Sequence, residues 1–328
     1  MMKYRQQGIA LVYVLLIYSL MTLMASQILT GLWQQTRKTS HYLDRAQARL
    51  YAHSAEQYVA LKLEEDAQQD RQSNRWVDHH DEPWHLQGSG YEISDGIITI
   101  HVTDEQGQLN INNLAVANTG AHQSLQIVKR LMTSLQLSPL MAYRLKDWVD
   151  SDREVSPGGA EDVTYQNLPS PYRAGNTDMA SRSELALIAG LDITSEHPLF
   201  NELATLPGFL PINLNTASRK VLHSLSEQLT TVEVDALIRA RTGNGLANMS
   251  ELMQISELAP KASLFQSLPL SFNSHFFSAT IQVKYREAKF TMHSWFQRDS
   301  RGVVHIIRRS LGFVGMDTVV THPVEEIA

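Results

Sequence analysis

The fold turns on the stretch Ile9-Ala-Leu-Val-Tyr-Val-Leu-Leu-Ile-Tyr-Ser-Leu-Met-Thr-Leu-Met-Ala-Ser-Gln-Ile28, part of a run from Ile9 to Thr36 that carries no charge. About twenty mostly apolar residues, rising about 1.5 Å each as a helix, suffice to cross the ~30 Å hydrocarbon core of a bilayer. Before the run stands a short basic leader, Met1-Met-Lys-Tyr-Arg-Gln-Gln-Gly8. A secretory signal has a shorter apolar centre and a small-residue cleavage site after it. Here the small residue, Gly8, precedes the apolar run. A cut at Gly8 removes only the leader and leaves the helix attached. Lys3 and Arg5 hold the leader on the cytoplasmic side by the positive-inside tendency, which puts the bulk of the chain outside the cytoplasm. A plain single-pass anchor is the simpler alternative.

The remainder of the 328 residues is enough for one or two folded domains. The net charge of −6 is not that of a nucleic-acid binder, which is usually basic. With no cysteine, disulfides, thiolate metal sites and a cysteine nucleophile are excluded.

Beyond the anchor, Leu43, Ala46, Leu50, Ser54, Tyr58 and Leu61 recur at helical spacing, so the helix is expected to continue to about Glu65. Asp70 to Gly90, with Pro83, reads as a loop. Tyr91–Ile93 and Ile97–Val102 flank Ser94-Asp95-Gly96 and predict a hairpin. The other β-prone stretches lie far away, at 276–285, 289–297 and 303–309, with turn residues Asp299–Gly302 between the last two. Between the two β regions, 125–135, 141–149, 182–189, 218–229 and 232–241 read as helices. The expected fold is α+β: a long N-terminal transmembrane helix packed on a small antiparallel sheet, with a large α-helical domain inserted between its strands. Strands this far apart in sequence can still pair, because loop closure grows costly only logarithmically with length.

The expected divisions are a leader at 1–8, a helix at 9–65, a discontinuous sheet at 66–108 and 270–313, an insert at 109–269 and a loosely ordered tail at 314–328. Within the insert, Leu109-Asn-Ile-Asn-Asn-Leu114 is echoed by Ile212-Asn-Leu-Asn-Thr-Ala217, suggesting two related subdomains. Asn113 and Thr216 are the expected caps of the helices that follow. An acidic loop also stands out: Asp147, Asp150 and Asp152, then Gly158-Gly159, then Glu161-Asp162. Closely spaced carboxylates on a glycine-hinged loop suit calcium, which takes six to eight oxygen ligands, although the spacing is not that of an EF-hand. A solvated acidic loop is the alternative.

A basic leader ending in Gly before an apolar helix is the layout of a prepilin peptidase substrate. Taken with Asp104-Glu-Gln-Gly-Gln-Leu-Asn-Ile-Asn-Asn-Leu114, Asp147-Trp-Val-Asp-Ser-Asp152, Gly158-Gly-Ala-Glu-Asp162, Tyr172-Arg-Ala-Gly-Asn176, Ser183-Glu-Leu185 and Ile212-Asn-Leu-Asn-Thr-Ala217, it resembles the K-type minor pseudopilin of type II secretion. The resemblance covers nearly the whole chain. It implies cleavage after Gly8, N-methylation of Ile9, and a non-enzymatic role at the tip of a short periplasmic filament. The implied partners are the I-type and J-type minor pseudopilins, other pseudopilins, the inner-membrane secretion platform and prepilin peptidase. The implied location is the bacterial inner membrane, with the main domain periplasmic and the chain at the pseudopilus tip after assembly. It also implies a structural calcium, with Asp150, Asp152, Glu161 and Asp162 as ligands and backbone carbonyls near Tyr165 or the side chain of Asn176 completing the shell. Asp147 is set aside as a surface residue of the preceding helix, and Trp148 as packing.

Most pseudopilins carry a glutamate five residues into the mature chain; counted from Ile9, that position is Tyr13. A carboxylate in hydrocarbon is costly without a partner, so its loss fits a subunit with none ahead of it.

Two other readings compete. The segment from Ile212 to Arg241 looks like part of a helix-hairpin-helix module of a DNA-uptake protein, but its connection 224–231 has no glycine to bring N–H groups to phosphate. Lys220, Arg239 and Arg241 are then ordinary solvated charges, and no nucleic acid is expected. His79, His80 and His85 lie near Asp78, Asp81 and Glu82 without a His-Glu-x-x-His helix, so a metalloenzyme is the weakest reading.

Overall fold

The computed structural model describes residues 7–116, 119–194 and 197–311; residues 1–6 of the expected leader 1–8, and the whole expected tail 314–328, lie outside the described residues. One helix, α1 (Gln7–Ser73), runs unbroken from the apolar segment into the folded domain, a length of about 100 Å at 1.5 Å per residue. It extends past the expected end at Glu65, and the loop therefore begins at Asn74, in the left-handed region at φ 53°.

Five antiparallel strands form the sheet, in the order β1 (Gln87–Ile93), β2 (Gly96–Asp104), then 276–285, 288–298 and 304–311. The hairpin and the split sheet are as the sequence predicts. β2 lies beside 276–285 from Gly96↔Tyr285 to Asp104↔Phe277, so the whole insert leaves and returns between two neighbouring strands. At the hairpin turn a Cβ on Gly96 would stand 1.9 Å from the Lys284 carbonyl oxygen, which restricts this position to glycine.

α1 lies on the sheet through Ala48, Ala52, Ala55, Val59 and Leu63, packed against Ile98, Ile100, Val102, Phe277, Ile281, Met292 and Phe296. Three alanines among these five positions let the helix backbone approach the strands closely. The face carrying Leu43, Leu50 and Leu61 is therefore the outward one, and all three are exposed.

The insert has its own core, to which α2 (Thr119–Ser134) contributes Leu125, Ile127, Val128 and Leu131, and α3 (Met141–Val149) contributes Leu145 and Trp148. Residues Arg182–Leu187 form a 3₁₀ rather than an α-helix, started by a capping box between Ser181 and Glu184. The expected helix 218–229 stops at Ser224.

The echoed asparagine motifs do equivalent work in two places. Asn110 Oδ1 accepts from Asn112 N–H, and Asn112 bridges Met179 and Leu206; Asn213 Oδ1 accepts from Asn215 N–H, and Asn215 bridges Leu246 and Phe272. The expected caps are elsewhere engaged. Asn113 bonds both backbone groups of Leu210, Thr216 donates to Asp104, and Ser218 caps the helix from Arg219.

Helix, sheet and insert meet at Arg298, which is 4% exposed. Its Nη1 bonds Asp66 of α1 at 2.8 Å, and its Nη2 bonds both oxygens of Asp78 at 2.6 Å and the Ser274 carbonyl at 2.9 Å. The Asp78 carbonyl accepts from Asn213 of the insert, and Asp104 accepts from Asn213, Thr216 and Ser274. Carboxylates outnumber cations here. Burial, then the charge of Asp78, pushes Asp66 up to about 8, and burial, then Asp66, pushes Glu82 up to about 9. Both carboxyls favour the folded state while protonated. Their contribution is complete below the unfolded carboxylate range near 4 and is lost as the pH rises through 8 and 9. The melting temperature of the detergent-solubilised chain should fall from pH 6 to pH 9.5, and Asp66→Asn should flatten that fall. Arg298→Met, which leaves the buried Asp78 and Asp66 without their common donor, should destabilise by about 3–5 kcal/mol in denaturant titration.

Candidate functional site

Two features carry chemistry or contact. The first is the acidic loop. α3 ends at Val149, and Asp150 closes it with its N–H bonded to the Lys146 carbonyl. Asp147, on the last turn, is fully buried rather than at the surface. Its Oδ2 accepts from the N–H groups of Ser156 and Ala160, both at 3.0 Å, and so folds the following loop back over the helix end. This fold needs Gly158 at φ 81°, and Gly159, where a Cβ would stand 1.9 Å from Asp147 Oδ2.

Folding the loop back brings oxygens together. One carboxylate oxygen from each of Asp150, Asp152 and Glu161 lies within 4.8 Å of the others. Asp147 Oδ1, Asp150 Oδ1, both oxygens of Glu161 and Asn176 Oδ1 are buried without a hydrogen-bond partner among the described residues. Asn176 stands near enough to favour the ionised form of Glu161, although no bond of normal geometry joins them. Burial, then the neighbouring carboxylates, raises Glu161; burial also raises Asp150, against the opposing pull of Lys146 and with a smaller push from Asp152 and Asp147. Each unsatisfied buried acceptor costs about 1–3 kcal/mol. An all-oxygen set of this kind fits a hard cation such as calcium, and the lack of nitrogen or sulfur ligands disfavours zinc.

Of the four ligands expected from sequence, the structure brings Asp150, Asp152 and Glu161 together and leaves Asp162 aside, its Oδ1 accepting from Ala174 N–H. Asp147 lies outside that set of three, but its charge acts on Asp150 and Glu161 and its Oδ1 is a further buried oxygen without a partner among the described residues. Its spacing of three from Asp150 on a helix was the signal available for it. Trp148 is packing, edge-on to Tyr165 and Tyr172.

The second feature is α1 itself, the one helix among the described residues long and apolar enough to cross a membrane, with no part of its most apolar window buried. Gly8 and Ile9 lie in its first turn.

The alternative sites are otherwise engaged. Arg241 is not a solvated charge: its Nη1 donates to the Leu214 and Ala217 carbonyls, both at 2.7 Å. Segment 224–231 contains no positive φ. His79 accepts from Asp81 N–H through Nδ1, and His80 stacks on His85 at 4.4 Å.

A helix long and apolar enough to cross a membrane, laid on an antiparallel sheet that is interrupted by a helical insert, defines a pilin-like protein. Two sequence profiles, both described as type II secretion system (T2SS), protein K, match residues 107–207 and 212–270. The type II secretion system protein K of Klebsiella pneumoniae is 32% identical over 92% of this chain and 96% of its own length. That of Pseudomonas aeruginosa is 25% identical over 96% of each. The chain belongs to the type II secretion system protein K family. Its fold matches a chain in the crystal structure of the GspK-GspI-GspJ complex of the type 2 secretion system from enterotoxigenic Escherichia coli, with a TM-score of 0.68 at 22% identity, covering 85% of this chain and 99% of that one.

Calcium should raise the melting temperature of the full chain relative to chelator, and Asp150→Ala with Asp152→Ala should abolish the increment. In chelator, the raised Asp150 and Glu161 make stability fall as the pH rises through their range; with calcium present the increment should grow with pH, because the ligands must ionise. An equal loss for the double variant in chelator would remove the site.

Proposed function

We propose that this chain is a minor pseudopilin that caps the tip of the type II secretion pseudopilus, with the I-type and J-type minor pseudopilins beneath it. The observation that carries the reading is the single α1, which joins an apolar span directly to the domain while Leu43, Leu50 and Leu61 face away from it. Such a helix has one face for its own sheet and another for neighbouring helices. The matched fold comes from a complex titled with all three subunit types, which supports those partners.

Processing after Gly8 by prepilin peptidase and methylation of Ile9 belong to the same reading, as do an inner-membrane origin and a periplasmic main domain. Tyr13 in place of the usual glutamate suits a subunit with no other ahead of it. The insert places bulk above the sheet, where a further subunit would add, and so acts as a stop. Calcium, held by Asp147, Asp150, Asp152, Glu161 and Asn176, would fix the loop that follows α3. No catalytic step is assigned.

Gold-labelled antibody to this chain should mark one end of sheared filaments, and cells lacking the chain should form fewer filaments or filaments of altered length. Label distributed along the filament would contradict a tip role.

A further inference from the structure

The segment of α1 between the apolar run and the sheet carries Arg37, His41, Arg45 and Arg49, each four residues from the last, with Lys38 beside them. All are exposed. At about 100° per residue this series winds slowly along the helix, forming a basic stripe about 18 Å long. Among the described residues none of the five makes an ion pair or hydrogen bond, and Arg37 only stands 5.7 Å over the Trp33 ring. Elsewhere many cations are paired: Arg298 with Asp66 and Asp78, Arg309 with Glu56, Arg286 with Asp44, Arg75 with Glu251. Tyr42, Leu43 and Leu50 interleave with the stripe at 73%, 59% and 60% exposure. The surface is thus basic with apolar contacts.

Three occupants can be compared by reach. Anionic headgroups extend only about 5–8 Å beyond the hydrocarbon core. With Trp33 at the interface, Arg45 and Arg49 stand about 18–24 Å further along the helix, beyond a Debye length of about 8 Å. Lipid can therefore engage Arg37 and Lys38 but not the whole stripe. A second copy anchored at the same depth would bring arginine against arginine. Its acidic residues Glu64 and Glu65 would face Arg45 and Arg49 only after a slide of about 25 Å, which would draw its span out of a ~30 Å core. Glu56 is no closer match, being fully buried and bonded to Arg309.

We infer that the Arg37–Arg49 stripe is the docking face for an acidic helix of a different pilin-like subunit, anchored in the same membrane, and that its charge bars pairing with a second copy. This rests on the assembly role proposed above and names the surface that role uses. Like-charge contact disfavours the wrong partner while opposite charge sets register.

The test uses the tagged full-length chain co-expressed with the I-type and J-type subunits and extracted in mild detergent. Capture of a pilin-like partner by the wild type should weaken at least tenfold between 0.1 M and 0.5 M salt. Arg45→Glu with Arg49→Glu should lose capture at least tenfold at low salt, and Arg45→Lys with Arg49→Lys should retain it. Both variants should keep the wild-type melting temperature, because these side chains have no partners in the fold. Undiminished capture by the charge-reversed variant would overturn the inference and leave the assembly role standing. So would a variant that loses only binding to anionic phospholipid vesicles. Failure of the wild type to capture any such subunit would overturn both.

Discussion

The buried guanidinium of Arg298 holds three parts of the molecule at once. It comes from the sheet, bonds Asp66 on the long helix, and bonds Asp78, whose carbonyl accepts from Asn213 in the insert. A buried charge network of this kind contributes little net stability compared with apolar packing, but it is severe on any arrangement that breaks it. Its effect is to fix angles. The helix cannot turn on the sheet, nor the insert on the helix, without exposing a charge to a dry interior. Force or displacement applied to the apolar end of α1 therefore reaches the insert through a continuous helix and a set of direct bonds.

That rigidity gives the assembly reading its physical sense. A subunit that enters a filament by its helix must present its bulky domain at a set height and orientation. The α1 backbone supplies the height, and Arg298 with Asp66, Asp78 and Asp104 supplies the orientation. The acidic loop works at a smaller scale. Asp147 folds the chain over the end of α3, and the oxygens gathered there suit a cation that would lock the fold. The outward side of α1 remains for partners.

Much of this is legible in the sequence because its signals are local. The apolar run, the alternation around Asp95-Gly96 and the three late strands each announce themselves within ten residues or so, and the asparagine echo points to repeated structure. The errors arise where distant contacts decide. Leu43, Leu50 and Leu61 mark a helical face, but the face that packs is built largely from alanines, whose small size suits close approach and whose hydropathy gives little signal. Asp147 resembles a surface helix residue until the loop ten residues later folds back on it. Thr216 and Asn113 have capping chemistry, yet Asp104 and Leu210 reach them first. Arg241 looks like a solvated charge, but it holds two carbonyls at the end of the second motif. Nothing near Asp66 in the sequence indicates that its partner lies at position 298.

The most direct measurement is the intact mass of the membrane-extracted chain from cells with and without prepilin peptidase. A chain beginning at N-methylated Ile9 only when the peptidase is active is the expected result, and it would place the chain in the pilin-type export route. A chain that keeps its Met1–Gly8 leader despite active peptidase would contradict that placement and leave a simple anchored protein.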